Sequence, residues 1–145
     1  MLNPAPVVDP EVCRALLSDV DVLTPNAVEA AALTDMPVDD PASAILAAKQ
    51  IRQLGAKAAV VTLGAAGCVV VDDKAMVIPA LSVDAVDTTG AGDTFNGTLA
   101  VALAEGRSLV EAARWAAVAA AISVTRRGAL PSLPTRAEIE ALWRG

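Results

Sequence analysis

A chain of 145 residues is long enough for one domain with a buried core, and its 54% hydrophobic content, much of it alanine, supplies the material. With 11 Lys+Arg against 17 Asp+Glu the net charge is −6, aromatics are 2% and tyrosine is absent. That balance disfavours nucleic-acid binding, which needs a phosphate-tracking basic surface or stacking platforms. Histidine is also absent, which excludes every His-dependent triad and most His-containing metal sites.

Mean hydropathy is high at +0.52, yet no stretch reads as membrane-spanning. The most apolar run, Trp115 to Val124, is too short and is followed by Thr125, Arg126 and Arg127, so it reads as a buried helix. No basic region precedes an apolar run at the N-terminus, so no signal peptide is expected and a cytoplasmic location is. Cys13 and Cys68 form no CxxC pair and read as inert thiols.

Met1-Leu2-Asn3-Pro4-Ala5-Pro6 opens on a Pro-punctuated turn with no earlier strand or helix to hold it, unlike the start of a domain. Glu11 to Leu17 suits a short helix, and Val20 to Thr24 a short buried strand ending at Pro25. Asn26 with Glu29 opens a helix through Leu33, broken at Met36-Pro37. Asp40 as N-cap and Pro41 at the first helical position start a helix that runs to Leu54, with Gly55 as its stop. Ala58 to Leu63 is apolar and β-branched without alternation, as in a strand buried on both faces. A turn at Gly64 to Gly67 leads to a strand at Cys68 to Val71, and Met76 to Pro79 and Ser82 to Val86 read as further short strands. The next helix runs to about Glu105, Ser108 and Glu111 form a capping-box pattern for one reaching about Thr125, and Thr135 and Glu138 repeat it for a last helix to Trp143. Strands alternate with helices early and helices dominate late, which defines an α/β class with a mostly parallel sheet.

Between the last strand and the next helix lies Asp87-Thr88-Thr89-Gly90-Ala91-Gly92-Asp93-Thr94-Phe95-Asn96-Gly97. Small residues there let backbone approach a ligand, and the unpaired N–H groups and dipole of a helix N-terminus favour an anion. Asp93 puts a carboxylate beside that anion, an odd choice for a site that only binds phosphate. It makes sense if the carboxylate takes a proton from a hydroxyl that attacks phosphorus. A Walker A loop would need lysine where Asp93 stands, and a dinucleotide fingerprint would need a third glycine where Phe95 sits. The plain alternative is a strand–helix turn with Asp93 as cap.

The whole string Asp87 to Gly97 resembles the C-terminal signature of the ribokinase (PfkB) family of carbohydrate kinases. Further pieces follow in order: Leu2 to Pro6 resembles the family's LNPAP stretch, Thr24 to Ala30 its TPNxxEA segment, and Val61 to Gly67 its nucleotide-contacting TLGxxG turn. Val124 to Ala129 with Pro131-Ser132 resembles the segment bordering the nucleotide and a monovalent cation. The resemblance covers essentially residues 1–145, taken as the C-terminal, nucleotide-binding and catalytic part of such a kinase domain. Nothing resembles the family's N-terminal half with its Gly-rich sugar-binding residues and β-lid.

The resemblance implies a ribokinase-like α/β fold and ATP-dependent phosphorylation of a sugar hydroxyl with Mg²⁺ and a potassium-type ion. Asp93 would be the catalytic base, with the N–H groups of Gly90, Ala91 and Gly92 as the anion hole. Asn26 and Glu29 would arrange phosphate and Mg²⁺, although Asn-x-x-Glu is equally a capping box. Thr62, Gly64 and Gly67 would border the nucleotide. Asp87, Thr89, Ser123, Arg126, Gly128 and Ser132 match positions around the monovalent ion; Arg126 also reads as a cation near a helix C-terminus. Ala117 departs from the Asn or His often found near the adenine, leaving only apolar contact there. Ribose is favoured as the sugar over fructose or a nucleoside. Two rival readings are a nucleotide-binding remnant that transfers nothing and a structural α/β domain without ligand. ATP and a small sugar are the expected partners, and an uncovered sheet edge is expected to drive homodimerisation or other self-association.

Overall fold

The computed structural model describes residues 1–143 and divides into two compact units, Met1–Pro79 and the remainder from Ala80. In the first, α1 (Pro10–Leu16) runs into a 3-10 turn (Leu17–Asp19), followed by β1 (Val22–Leu23), α2 (Ala27–Thr34), α3 (Pro41–Gln53), β2 (Ala58–Thr62), a 3-10 turn (Gly64–Ala66), β3 (Cys68–Val71) and β4 (Ala75–Ile78). The second holds α4 (Ala91–Ala104), α5 (Leu109–Ser123), a 3-10 turn (Leu130–Ser132) and α6 (Arg136–Leu142). Helix starts follow local chemistry. Asn26, Asp40, Ser108 and Thr135 each accept the N–H of the residue three places on, and the side chain of that residue returns a bond in every case.

The sheet order is β1-β2-β3-β4. Val22 and Leu23 pair in parallel with Ala58 and Ala59, across the crossover made by α2 and α3. Leu2 extends the parallel part, donating its N–H to Val22 O at 2.9 Å while Thr24 N–H donates to Leu2 O at 2.9 Å. The α/β class and flanking helices hold, but parallel pairing is confined to this side: β2–β3 and β3–β4 are antiparallel. The connections 63–67 and 72–74 are too short for the crossover of a dozen or more residues that parallel neighbours need. Ala58 to Val61 are buried, as their unbroken apolar run implies, and Ala59, Val61, Val69 and Val71 share a core with Leu33, Ala44, Ala47, Ala48 and Ile51. Gly55, which ends α3 at φ 134°, is required twice over, because a Cβ there would lie 2.8 Å from Ser18 N.

One expected strand is corrected. Ser82 to Val86 forms none; these residues are exposed and have no strand partner among the described residues. A β-branched pattern makes a strand only when another edge supplies its hydrogen bonds.

In the second unit α4 packs against α5, and α5 against α6. Phe95, Leu99 and Ala102 are the buried face of α4, and the alanines of α5 permit close approach. The guanidiniums of Arg107 and Arg136 lie 4.7 and 5.1 Å from the Trp115 ring centroid, and the buried Trp115 Nε1 has no partner among the described residues. No helix of the described residues is long and apolar enough to cross a membrane.

Candidate active site

Gly90 precedes α4 in the left-handed region, φ 77°, and a Cβ there would sit 3.2 Å from the Ala129 Cβ. Conformation and neighbour therefore both call for glycine. Ala91 N–H closes a turn onto Thr88 O at 3.2 Å, and the Gly90 carbonyl accepts both Thr94 N–H (2.8 Å) and the Thr94 hydroxyl (2.9 Å). Among the described residues no acceptor engages the N–H of Gly90, Gly92 or Asp93. These groups stand at the positive end of a 14-residue helix dipole, an arrangement suited to an anion. Of the three amides expected to form an anion hole, only Ala91 is already engaged.

Asp93 is exposed, and its carboxylate makes no hydrogen bond or ion pair among the described residues. It does not cap the helix, so the plain structural reading of this aspartate does not apply. Gly92 is equally unforced by the fold, since a Cβ there would meet nothing within 4 Å.

Beside this loop lies the segment that follows α5. The Asp87 carboxylate joins the two, accepting Thr89 N–H on one oxygen (2.9 Å) and Gly128 N–H on the other (2.8 Å). Hydrogen bonds from the Thr89 side chain, then from the Gly128 and Thr89 amides, with the Arg127 charge adding, bring its pKa down to about 2. Val124 O accepts the N–H groups of Val86 (2.7 Å) and Asp87 (3.1 Å). Asp87, Thr89, Gly90, Gly128 and Ala129 thus come together. Ser123 and Ser132 are buried and their hydroxyls donate to Ala120 O and Ala129 O. Arg126 lies beyond the last turn of α5 and bonds Glu138 Oε1 at 2.5 Å. That partner was not anticipated, because Thr135-x-x-Glu138 accounts for Glu138 locally and only opposite charge links it to Arg126.

The first unit gathers its own set at the carboxyl ends of the parallel strands β1 and β2, where open α/β sheets present ligands. Asn26 bridges Thr62 in parallel, Thr62 N–H donates to Pro25 O at 3.0 Å, and Leu63 N–H donates to Gly67 O at 2.8 Å, shaping the turn that holds Gly64 and Gly67. Gly64 at φ 56° and Gly67 at φ 94° take conformations that side chains resist. Glu29 is buried and its Oε2 accepts Asn26 N–H at 2.8 Å, while Asn26 Oδ1 accepts Glu29 N–H at 2.9 Å. The capping box therefore forms in full. No group of three or more Asp, Glu or Cys side chains among the described residues could hold a metal by itself. Ala117 is buried in α5.

In the second unit, a glycine loop at a helix start beside an open carboxylate is an arrangement suited to phosphoryl transfer. Residues 2–136 match the pfkB family carbohydrate kinase model, and the chain belongs to that family. It is 46% identical to a ribokinase of Haemophilus influenzae over 139 residues, 95% of this chain and 45% of that protein. Among solved structures, Thermotoga maritima ribokinase gives a TM-score of 0.83 at 40% identity, covering 96% of this chain and 46% of that one. Arabidopsis thaliana ribokinase, solved with ribose and ATP, gives 0.83 at 38% identity, with 89% and 42% covered. The chain spans less than half the length of these relatives.

Proposed function

We propose that this chain carries phosphotransfer machinery for the ATP-dependent phosphorylation of a sugar hydroxyl, with ribose as substrate and ribose 5-phosphate as product. One observation carries the reading: the partnerless, solvent-open Asp93 carboxylate in the first turn of α4, next to the unengaged N–H groups of Gly90 and Gly92. The sugar oxygen attacks the γ-phosphorus, the bond to the bridging oxygen of the leaving ADP breaks, and the hydroxyl proton passes to Asp93. The glycine-loop amides hold the charge that spreads over the transferring group. Thr62, Gly64 and Gly67 border the nucleotide, and Asn26 orients its phosphates. The ribose assignment leans on the ribokinase relatives.

Mg²⁺ fits as a nucleotide-bound ion rather than one caged by protein, since it usually takes one or two carboxylates plus substrate phosphates. Glu29, whose Oε2 is held by the Asn26 N–H, would supply its other oxygen, and the ion would neutralise phosphate charge. A potassium-type ion would be held by the Asp87 carboxylate, which is kept ionised, and by oxygens of Thr89, Ser123, Arg126, Gly128 and Ser132, several of them backbone carbonyls. The same reading puts the chain in the cytoplasm, with ATP and a small sugar as partners. Fructose and nucleosides are the competing substrates.

A coupled kinase assay over a sugar panel with ATP·Mg²⁺ tests this, the expected outcome being ribose-dependent turnover that Asp93→Ala abolishes. Undiminished turnover in Asp93→Ala would reject the base. The span of less than half of each relative favours one second reading, a nucleotide-binding remnant without transfer. It predicts a thermal shift with ATP·Mg²⁺ and no turnover; absence of any shift at saturating nucleotide would sink both readings.

A further inference from the structure

Glu138 sits in the first turn of α6 and has two jobs on its two oxygens. Oε2 closes the capping box, accepting Thr135 N–H at 2.7 Å and the Thr135 hydroxyl at 2.9 Å. Oε1 accepts the Arg126 guanidinium at 2.5 Å. Both side chains are partly shielded, at 35% and 41% exposure. Arg126 belongs to the turn after α5, whose next residues are anchored on the opposite side: Gly128, at φ 83°, donates its N–H to Asp87 at 2.8 Å, and Ala129 rests against Gly90. A continuous set of contacts therefore runs from α6 through Arg126 and Gly128 to Asp87, Thr89 and the loop that presents Asp93.

We propose that Glu138 is a positioning residue for phosphoryl transfer: by fixing Arg126 it holds the turn 124–129 against Asp87 and so sets the shape of the glycine loop. The proposal rests on the phosphotransfer reading. The physical reason is that the turn has no strand or helix of its own between Val124 and Ala129. Its conformation is set by what grips each side. Backbone bonds and Asp87 grip one side, and the Glu138 carboxylate grips the other. Loss of that grip leaves the Gly128 N–H and the Asp87 carboxylate free to separate, and misplacement of a loop near the reacting atoms lowers rate steeply.

Glu138→Gln is the discriminating variant, because glutamine also completes a capping box while lacking the charge that pairs with Arg126. Amide hydrogen exchange followed by NMR is expected to show the Gly128 and Thr89 N–H groups exchanging roughly tenfold faster in Glu138→Gln, with the α5 amides unchanged. In turnover, kcat is expected to fall about tenfold at unchanged sugar KM, the pattern of a lost transition-state interaction. Thr135→Ala, which weakens the cap and leaves the ion pair, is expected to lower the melting temperature and leave Gly128 exchange and kcat as they were. Unchanged exchange at Gly128 in Glu138→Gln overturns the proposal, and so does unchanged kcat in a chain that Asp93→Asn inactivates. Failure of the underlying reading looks different: wild-type chain without turnover, or Asp93→Asn retaining it, while the exchange measurement still reports on the grip of Glu138.

Discussion

Gly92 and Gly97 both lie in α4 with open space where a Cβ would be, and neither has a positive φ. A glycine in a helix costs roughly 0.5–1 kcal/mol relative to alanine, so packing within this chain gives no reason for either. Gly97→Ala is expected to stabilise the chain by about that amount, measured as a higher midpoint in urea. Gly92→Ala is expected to stabilise slightly as well, yet to weaken ATP-dependent thermal stabilisation if ligand backbone approach is what keeps it small. Asp93→Asn is expected to leave thermal stability within about 0.5 kcal/mol of wild type, because an exposed carboxylate without a partner contributes little to folding. Gly90 stands apart from these, since its φ and the Ala129 methyl bind it to the fold itself. Burial pushes Cys68 up to about 12, and Cys13 is raised by burial and by the nearby Glu29 charge, so neither is a reactive thiolate at neutral pH.

At the scale of elements, the capping boxes were legible because they are written within four consecutive residues. Asn26-x-x-Glu29, Asp40 before Pro41, Ser108-x-x-Glu111 and Thr135-x-x-Glu138 each mark a helix start found in the structure. Asn26→Ala is expected to cost about 1 kcal/mol of stability through loss of the α2 cap, read by chemical denaturation. That Ser82 to Val86 forms no strand was not legible for the complementary reason: a strand exists only with a partner, and apolar alternation cannot say whether one is present. Pairing direction was half legible. The unbroken run Ala58 to Val61 correctly signalled burial on both faces, but the short connections at 63–67 and 72–74 were the better guide to antiparallel neighbours.

For the molecule as a whole, two consequences follow from charge and edges. The pKa of Asp87 and that of Glu138 are each brought down to about 2, the first chiefly by Thr89 and Gly128, the second chiefly by Arg126 and Thr135. A folded pKa below the unfolded one means the unfolded chain binds more protons, so these groups stabilise fully above the ordinary carboxylate range. That contribution is expected to fall away between about pH 4.5 and pH 2, loosening the 124–129 turn. Amide exchange at Gly128 across that range checks it, and exchange flat in pH after correction for intrinsic rates would refute it. β4 lies last in the sheet order of the first unit and leaves the Val77 side chain 45% exposed, an apolar strand surface of the kind that pairs with another copy. Concentration-dependent self-association is expected in light scattering, and Val77→Lys is expected to reduce it; a monodisperse monomer at high concentration would count against the edge.

The amino-acid sequence by itself determined the family, the helix starts and the glycine loop with its carboxylate, because each is encoded in residues close together along the chain. Only the tertiary structure decided that Asp93 is open rather than a cap and that Asp87 grips Gly128. It also decided that Arg126 answers to Glu138. Those facts depend on which distant segments meet, and one carboxylate has several competing donors that local spacing cannot rank. Folding ranks them, by bringing one donor within reach and leaving the others to water.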